Sequence, residues 1–259
     1  MCLFKTRKRG YINNIVSLFV LLCYNKYGGN MSQFDRLELL IHEKINDIYN
    51  KTVLIIGLGG VGSYAVEALV RSGITNLIIV DNDTISLTNL NRQLMTYHSN
   101  IGNFKTDETE KRILDINPNA KVTKITQFID MSNINELFKN KIDYVVDACD
   151  TLIVKLELVR ICKKKNIKLI SSMGTGNKMD PSRLKIIDIR KTSYDPIAKK
   201  IRKMVKDEKI TGKVMVVCSD EEGKVKIDRV IPSNSFVPAA AGLLCASYVI
   251  NDIVGDINV

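Results

Sequence analysis

A run of glycines, several acids and a cluster of amides and cations are the residues whose types and spacing can do chemistry. Val53-Leu-Ile-Ile-Gly-Leu-Gly-Gly-Val-Gly-Ser63 carries an apolar strand into a turn made by Gly57, Gly59, Gly60 and Gly62. Gly57 permits the tight turn, Gly59 lets phosphate oxygens approach the backbone, and Gly62 lets the following helix pack close to the sheet. The helix N-terminal amides and the macrodipole then favour anionic phosphates. Asp81 ends Leu77-Ile-Ile-Val80, at the distance of roughly twenty residues expected for a carboxylate that holds both ribose hydroxyls. These parts predict an adenine-nucleotide site. Asp83 and Asn89-Leu-Asn-Arg-Gln93 follow it, and so charged a cluster points to ATP being consumed, not to a redox carrier.

Strand-like runs at 53–56, 77–80, 122–127, 143–147 and 168–172 must position these groups, with helical patterns at 61–72, 105–116, 131–139 and 151–165 between them. Such alternation predicts an α/β fold: a Rossmann-like, doubly wound, mostly parallel sheet with helices on both faces. After Gly174 the rhythm changes to 184–189, a basic helix near 195–207, and 214–218. These segments are expected to extend the sheet with antiparallel strands in the C-terminal part. Ligands of open α/β sheets bind at the carboxyl ends of the strands. That edge would hold Asp81, Asp83, Asn89, Arg92 and Gln93, with Lys105 opening the next helix and Asp147 and Asp150 ending the 143–147 strand.

A chain of 259 residues, 45% hydrophobic, can bury a substantial core, and its net charge of +10 favours a polyanionic partner. An ordinary lysine-rich surface is the competing account. The six cysteines form no CxxC pair, which removes a zinc site by spacing and a disulfide framework, and suits a reducing cytoplasm. Residues 1–30 imitate a signal peptide, with Lys5-Thr-Arg-Lys-Arg9 before an apolar run too short to span a bilayer. Met31-Ser-Gln-Phe-Asp-Arg36 reads like a natural start, so 1–30 is treated as an extension and 31–259 as one ATP-binding domain. The apolar segment 237–254 is expected to cover the sheet, and no stable membrane insertion is expected.

Gly57-x-Gly-Gly-x-Gly62, Asp81-x-Asp83, Asn89-Leu-Asn-Arg-Gln93, Lys105 and Asp147-Ala-Cys-Asp150 together resemble the ubiquitin-activating-type, or ThiF-type, adenylation fold. Phe34-Asp-Arg-Leu-Glu-Leu-Leu-Ile41, Met173-Gly-Thr-Gly-Asn-Lys-Met-Asp-Pro181, Lys191-Thr-x-x-Asp-Pro-Ile-Ala198 and Ser235-Phe-Val-Pro-Ala239 are similar to signatures of the tRNA threonylcarbamoyladenosine dehydratase family. Val216-Val-Cys-Ser-Asp-Glu221 resembles a further segment, with Cys218 where that family more often has tyrosine. The resemblance spans residues 33–253 and implies ATP-dependent cyclisation of threonylcarbamoyladenosine beside the tRNA anticodon, through an acyl adenylate. No enzyme nucleophile is required on such a route.

Within that resemblance Asp81 holds the ribose, and Arg92 and Lys105 neutralise the triphosphate and the charge growing at the α-phosphorus. Asp147 is assigned to Mg²⁺ bridging the phosphates. Asn89 and Gln93 orient by neutral hydrogen bonds. Arg36 matches an arginine that related enzymes insert into a partner subunit's site, which implies a homodimer. The bland reading for Asp83, Asn89 and Asp150 is that they cap turns. In the basic helix, Ile201, Met204 and Val205 fall at helical spacing, leaving Lys199, Lys200, Arg202, Lys203 and Lys206 for tRNA phosphates.

Two other functions compete. Activation of the C-terminus of a small ubiquitin-like sulfur carrier uses the same adenylation chemistry, but the CxxC pairs common in such enzymes are missing. An oxidoreductase would leave Arg92, Lys105 and Asp147 without a task. Cys149 and Cys218 read as packing residues, with thioester chemistry the alternative. A sulfur-transfer or redox partner protein is left open.

Overall fold

The computed structural model describes residues 32–225 and 230–255, so the expectations for residues 1–30 lie outside the described residues. The described residues fall into two compact units, divided after His42. In the first, helix α1 (Asp35–Ile41) leaves Arg36 exposed.

The second unit opens with α2 (Ile45–Tyr49) and β1 (Thr52–Ile56), then α3 (Gly62–Arg71) and β2 (Asn76–Val80). Next come α4 (Lys105–Ile116), β3 (Lys121–Ile125), β4 (Tyr144–Asp147), α5 (Leu152–Lys165) and β5 (Lys168–Ser172). The C-terminal part adds β6 (Leu184–Asp188), α6 (Pro196–Asp207), β7 (Met215–Ser219) and α7 (Phe236–Val254). The strands form one seven-stranded sheet in the order β3-β2-β1-β4-β5-β7-β6. Central β1 and β4 are almost wholly buried, as strands covered on both faces must be, whereas the edge strand β3 exposes Lys121, Thr123 and Lys124.

The mostly parallel, doubly wound sheet expected from the sequence is present. Its C-terminal extension is less antiparallel than expected: β7 runs parallel to β5, and only the edge strand β6 is reversed. The segment 131–139 also differs, forming only a short 3₁₀ turn at Ile134–Phe138. Asp130 accepts from the Ser132 amide, and Asn133 both accepts from the Asp130 amide and donates to the Phe128 carbonyl. These side chains compete with helical backbone bonds.

One sheet face packs Leu54, Ile56, Val80 and Val145 against Val154 and Leu158 of α5. A second cluster gathers Ile201, Met204 and Val205 of α6 with Val214 and Val216. Helix α7 lies along α3 and over β4 to β7. By length and composition α7 is apolar enough to cross a membrane, but Val237, Ala241, Cys245 and Val249 are buried in this packing.

Candidate active site

At the carboxyl ends of β1, β2, β4 and β5 the chain encloses a cavity of about 580 Å³. Its first wall is the glycine turn. Gly57 has φ +89°, and a Cβ there would lie 2.7 Å from the Ala148 carbonyl oxygen, so no larger residue fits between β1 and β4. Gly59 leaves its backbone open to the cavity, with only the Gln93 amide within reach of a Cβ. Gly60 lines the same wall against Arg92 and Pro238, and Gly62 opens α3 so close to the turn that a Cβ would collide with the Gly57 carbonyl.

The second wall follows β2. Asp81 Oδ2 accepts from the Leu58 amide at 2.7 Å and Oδ1 from the Asp83 amide at 2.8 Å, which fixes the carboxylate against the glycine turn. Burial pushes its pKa up, and Lys105 and these two amides pull it down, with the net direction upward. Lys105 Nζ donates to Asp83 Oδ2 at 2.6 Å and stands 3.9 Å from Asp81 Oδ1. Arg92 reaches the Thr88 carbonyl at 2.8 Å and Asn91 at 2.9 Å. Asn89 closes its own turn, its Oδ1 accepting from the Ser86 amide at 3.0 Å, while also lining the cavity. Gln93 is 7% exposed, and its Oε1 has no hydrogen-bond partner among the described residues. A buried acceptor with no partner costs free energy until a donor arrives, which fits a ligand bearing N–H or O–H groups.

Beyond β4 the placement corrects one assignment. Asp147, read from the sequence as the Mg²⁺ carboxylate, is 0% exposed and does not line the cavity. Lys155 of α5, 1% exposed, donates to both of its oxygens at 3.1 Å, and the Ser171 hydroxyl bonds the same carboxylate. Lys155 Nζ also donates to the Ser172 carbonyl at 2.8 Å, tying the ends of β4 and β5 together. Asp147 shares its sheet face with Val145, two residues earlier, and that face is covered by α5. Its charge is therefore spent inside. Asp150 instead is exposed, lines the cavity and has no cationic partner among the described residues.

Sequence reasoning missed Lys155, although a lysine on the apolar stripe Val154, Leu158 and Cys162 was the available signal. It also missed the loop 172–176 at the end of β5, which forms a further wall with Ile197 from the first turn of α6. On α6 itself Ile201, Met204 and Val205 are buried, and Lys199, Lys200, Lys203 and Lys206 are exposed without ion pairs among the described residues. Arg202 departs from the solvent-facing expectation. It is half-buried and donates to the Thr192 carbonyl at 2.9 Å.

A model of the ThiF family matches residues 32–257 of this sequence. The chain belongs to that family. Two curated relatives are tRNA threonylcarbamoyladenosine dehydratases: that of Bacillus subtilis is 41% identical over 247 residues, covering 88% of this chain and 97% of the relative. That of Escherichia coli is 33% identical over 195 residues, covering 75% and 70%. The crystal structure of the E. coli tRNA N6-threonylcarbamoyladenosine dehydratase in complex with ATP superimposes with a TM-score of 0.80 at 30% identity, covering 85% of this chain and 93% of that one. As a ThiF-family site the cavity contains one thiol at its wall, Cys149. Burial and the neighbouring Asp147 push its pKa far up, and burial pushes Cys218 up to about 12, both in the direction that disfavours a thiolate.

Proposed function

We infer that this ThiF-family chain is an ATP-dependent tRNA threonylcarbamoyladenosine dehydratase. One observation carries the reading: a single cavity joins the phosphate-binding glycine turn, Asp81, Arg92, Lys105 and Asp150 with the first turn of a basic helix. A carboxylate is a poor electrophile because its leaving group would be oxide. Its oxygen therefore attacks the α-phosphorus of ATP and expels pyrophosphate. A nucleophile within the same modified side chain then attacks the acyl carbon, the ring closes, and AMP leaves with the carboxylate oxygen. The net loss from the nucleoside is one water. Arg92 and Lys105 are suited to the charge that grows on the phosphates, since fixed cations need no reorganisation as the transition state forms. Incubation with ATP, Mg²⁺ and threonylcarbamoylated tRNA, followed by mass spectrometry of the nucleosides, should show that loss. An unchanged modified adenosine under saturating substrates would remove the proposal.

The residues also fit a divalent cation, at Asp150 and not at Asp147. What supports this is an exposed carboxylate on the cavity wall with no cationic partner among the described residues. A bound Mg²⁺ would supply charge neutralisation of the phosphate oxygens. tRNA is assigned to the exposed lysines of α6. Residues 31–259 are taken as a single adenylating domain working in the cytoplasm. Homodimeric action through Arg36 is the remaining part of the reading, supported by its exposure on α1 and the match of residues 34–41 to the family signature. Mixing Arg36→Ala chains with Asp150→Ala chains should restore part of the activity, because one site then regains both groups. No recovery despite demonstrated subunit exchange would argue for action within one chain.

A further inference from the structure

Asp195 is 4% exposed, yet it belongs neither to the nucleotide wall nor to the basic face. Its Oδ1 accepts from the Ala198 amide at 2.7 Å and so caps the N-terminus of α6. Its Oδ2 accepts from the Gly174 amide at 3.0 Å, in the loop 172–176 that walls the cavity. The approach is close: a Cβ on Gly174 would lie 2.7 Å from Oδ2. Capping α6 requires one side-chain oxygen, and a neutral serine or asparagine supplies it as well as an aspartate does. Burying a carboxylate costs more than burying a neutral cap, and here the second oxygen is used only on the cavity wall. On the other side of the same helix turn, Ile197 lines the cavity, while Lys199, Lys200 and Lys203 face outward. Further along, Arg202 in the middle of the basic stretch donates to the Thr192 carbonyl and ties the helix to the segment that precedes it.

We infer that Asp195 is a positioning residue that couples the basic face of α6 to the 172–176 wall of the nucleotide cavity, so that docking of a polyanion on the helix orders the site. This rests on the reading of α6 as the tRNA face and deepens it: the modified nucleoside enters between Gly174 and Ile197. The tether consists of two charge-assisted hydrogen bonds from one buried carboxylate to two backbone amides. Displacement of α6 by bound RNA is therefore transmitted to the Gly174 backbone, and ordering of that wall by substrate is felt in return by the helix.

Asp195→Asn separates capping from coupling. The amide oxygen continues to cap α6, but the amide NH₂ cannot accept from Gly174. Gly174→Ala attacks the same contact from the wall side by crowding Oδ2. Both variants are to be compared with the full-length wild type for tRNA and ATP affinity, for kcat and KM with threonylcarbamoylated tRNA, and for amide hydrogen exchange of residues 172–177 with and without that tRNA. The expected result is tRNA affinity within about twofold of wild type and kcat lower by roughly tenfold or more, the scale of one hydrogen bond to a charged acceptor. The tRNA-dependent protection of 172–177 seen in the wild type should disappear in both variants. Variants that keep wild-type kcat and wild-type protection overturn the coupling, as does a wild type whose loop shows no tRNA-dependent protection. A wild type unable to convert the modified tRNA overturns the proposed function and the coupling together. A wild type that converts it while both variants match it overturns the coupling alone.

Discussion

On the β1–β2 side of the cavity four charged side chains line the space, whereas on the β4–β5 side Asp147 is sunk behind the wall and Lys155, which reaches the wall, is tied to it. Asp81, Asp83, Lys105 and Arg92 line the cavity; Asp81 is held by backbone amides, Arg92 by a backbone carbonyl, and Lys105 and Asp83 by each other. Asp147 and Lys155 satisfy one another in the interior and bind strand to strand and helix to sheet. The two sides carry the same residue types with opposite tasks. Charges on the first wall are available to a ligand. On the second, Asp147 and Lys155 are committed to each other and to the frame although Lys155 touches the cavity, and Asp150, three residues beyond Asp147, returns a carboxylate to it.

The sharpest way to break this contrast is to remove one charge from each side. Lys105→Ala and Asp150→Ala should each lower turnover by roughly 10²–10³-fold, and Asp150→Ala, whose carboxylate is exposed, should leave the midpoint of thermal unfolding close to wild type. Steady-state kinetics and calorimetry on the same preparations check both halves. A large loss of stability in Asp150→Ala would mean that this carboxylate also belongs to the frame.

Asp147→Ala should do the reverse, costing roughly 3–5 kcal/mol because it strands a buried ammonium, with loss of activity following loss of fold. Denaturant titration against wild type measures this. The pH dependence has a defined sign. Burial pulls Lys155 down, but Asp147 raises it further, and its pKa in the folded chain lies above the ordinary 10.5. The contribution linked to Lys155 is thus fully present below the unfolded lysine pKa and is lost as pH rises through the folded one. A stability gap between wild type and Asp147→Ala that closes near neutral pH would contradict the buried pair.

The smallest expected effect concerns α6, where charge lies on the surface. Replacing Lys199, Lys200 and Lys203 by glutamine should weaken tRNA binding by about tenfold at moderate salt and flatten the salt dependence by about one log unit per lost phosphate contact. Binding isotherms across a salt series check this, with ATP affinity as the control. Arg202→Gln should change the slope less, because its guanidinium is committed to Thr192. Equal effects of Arg202 and the three lysines would place the nucleic acid on another face of the helix.

Most of the nucleotide side was legible in the sequence because its parts are local. The glycine turn, the strand into Asp81 and the Asn89–Gln93 cluster are read within a single βαβ unit, where spacing and side-chain parity decide geometry. Asp147 was misplaced even though its parity with Val145 was visible, since a carboxylate at a strand end was read by type and not by the face it shares. The helix expected at 131–139 failed for a local reason too: Asp130 and Asn133 bind nearby backbone and leave only Ile134–Phe138 as a 3₁₀ turn.

By itself the sequence determined the doubly wound sheet, the adenine-nucleotide turn, the family resemblance and the amphipathic basic helix, because periodicity and short motifs encode interactions between residues near one another in the chain. Only the tertiary structure decided which of two nearby carboxylates reaches the cavity. It also decided that Lys155 pairs with Asp147, that β7 enters between β5 and β6, and that Asp195 ties Gly174 to α6. Each of those outcomes depends on groups from separate elements competing for one volume and one set of hydrogen bonds, and a linear order of residues does not state which competitor wins.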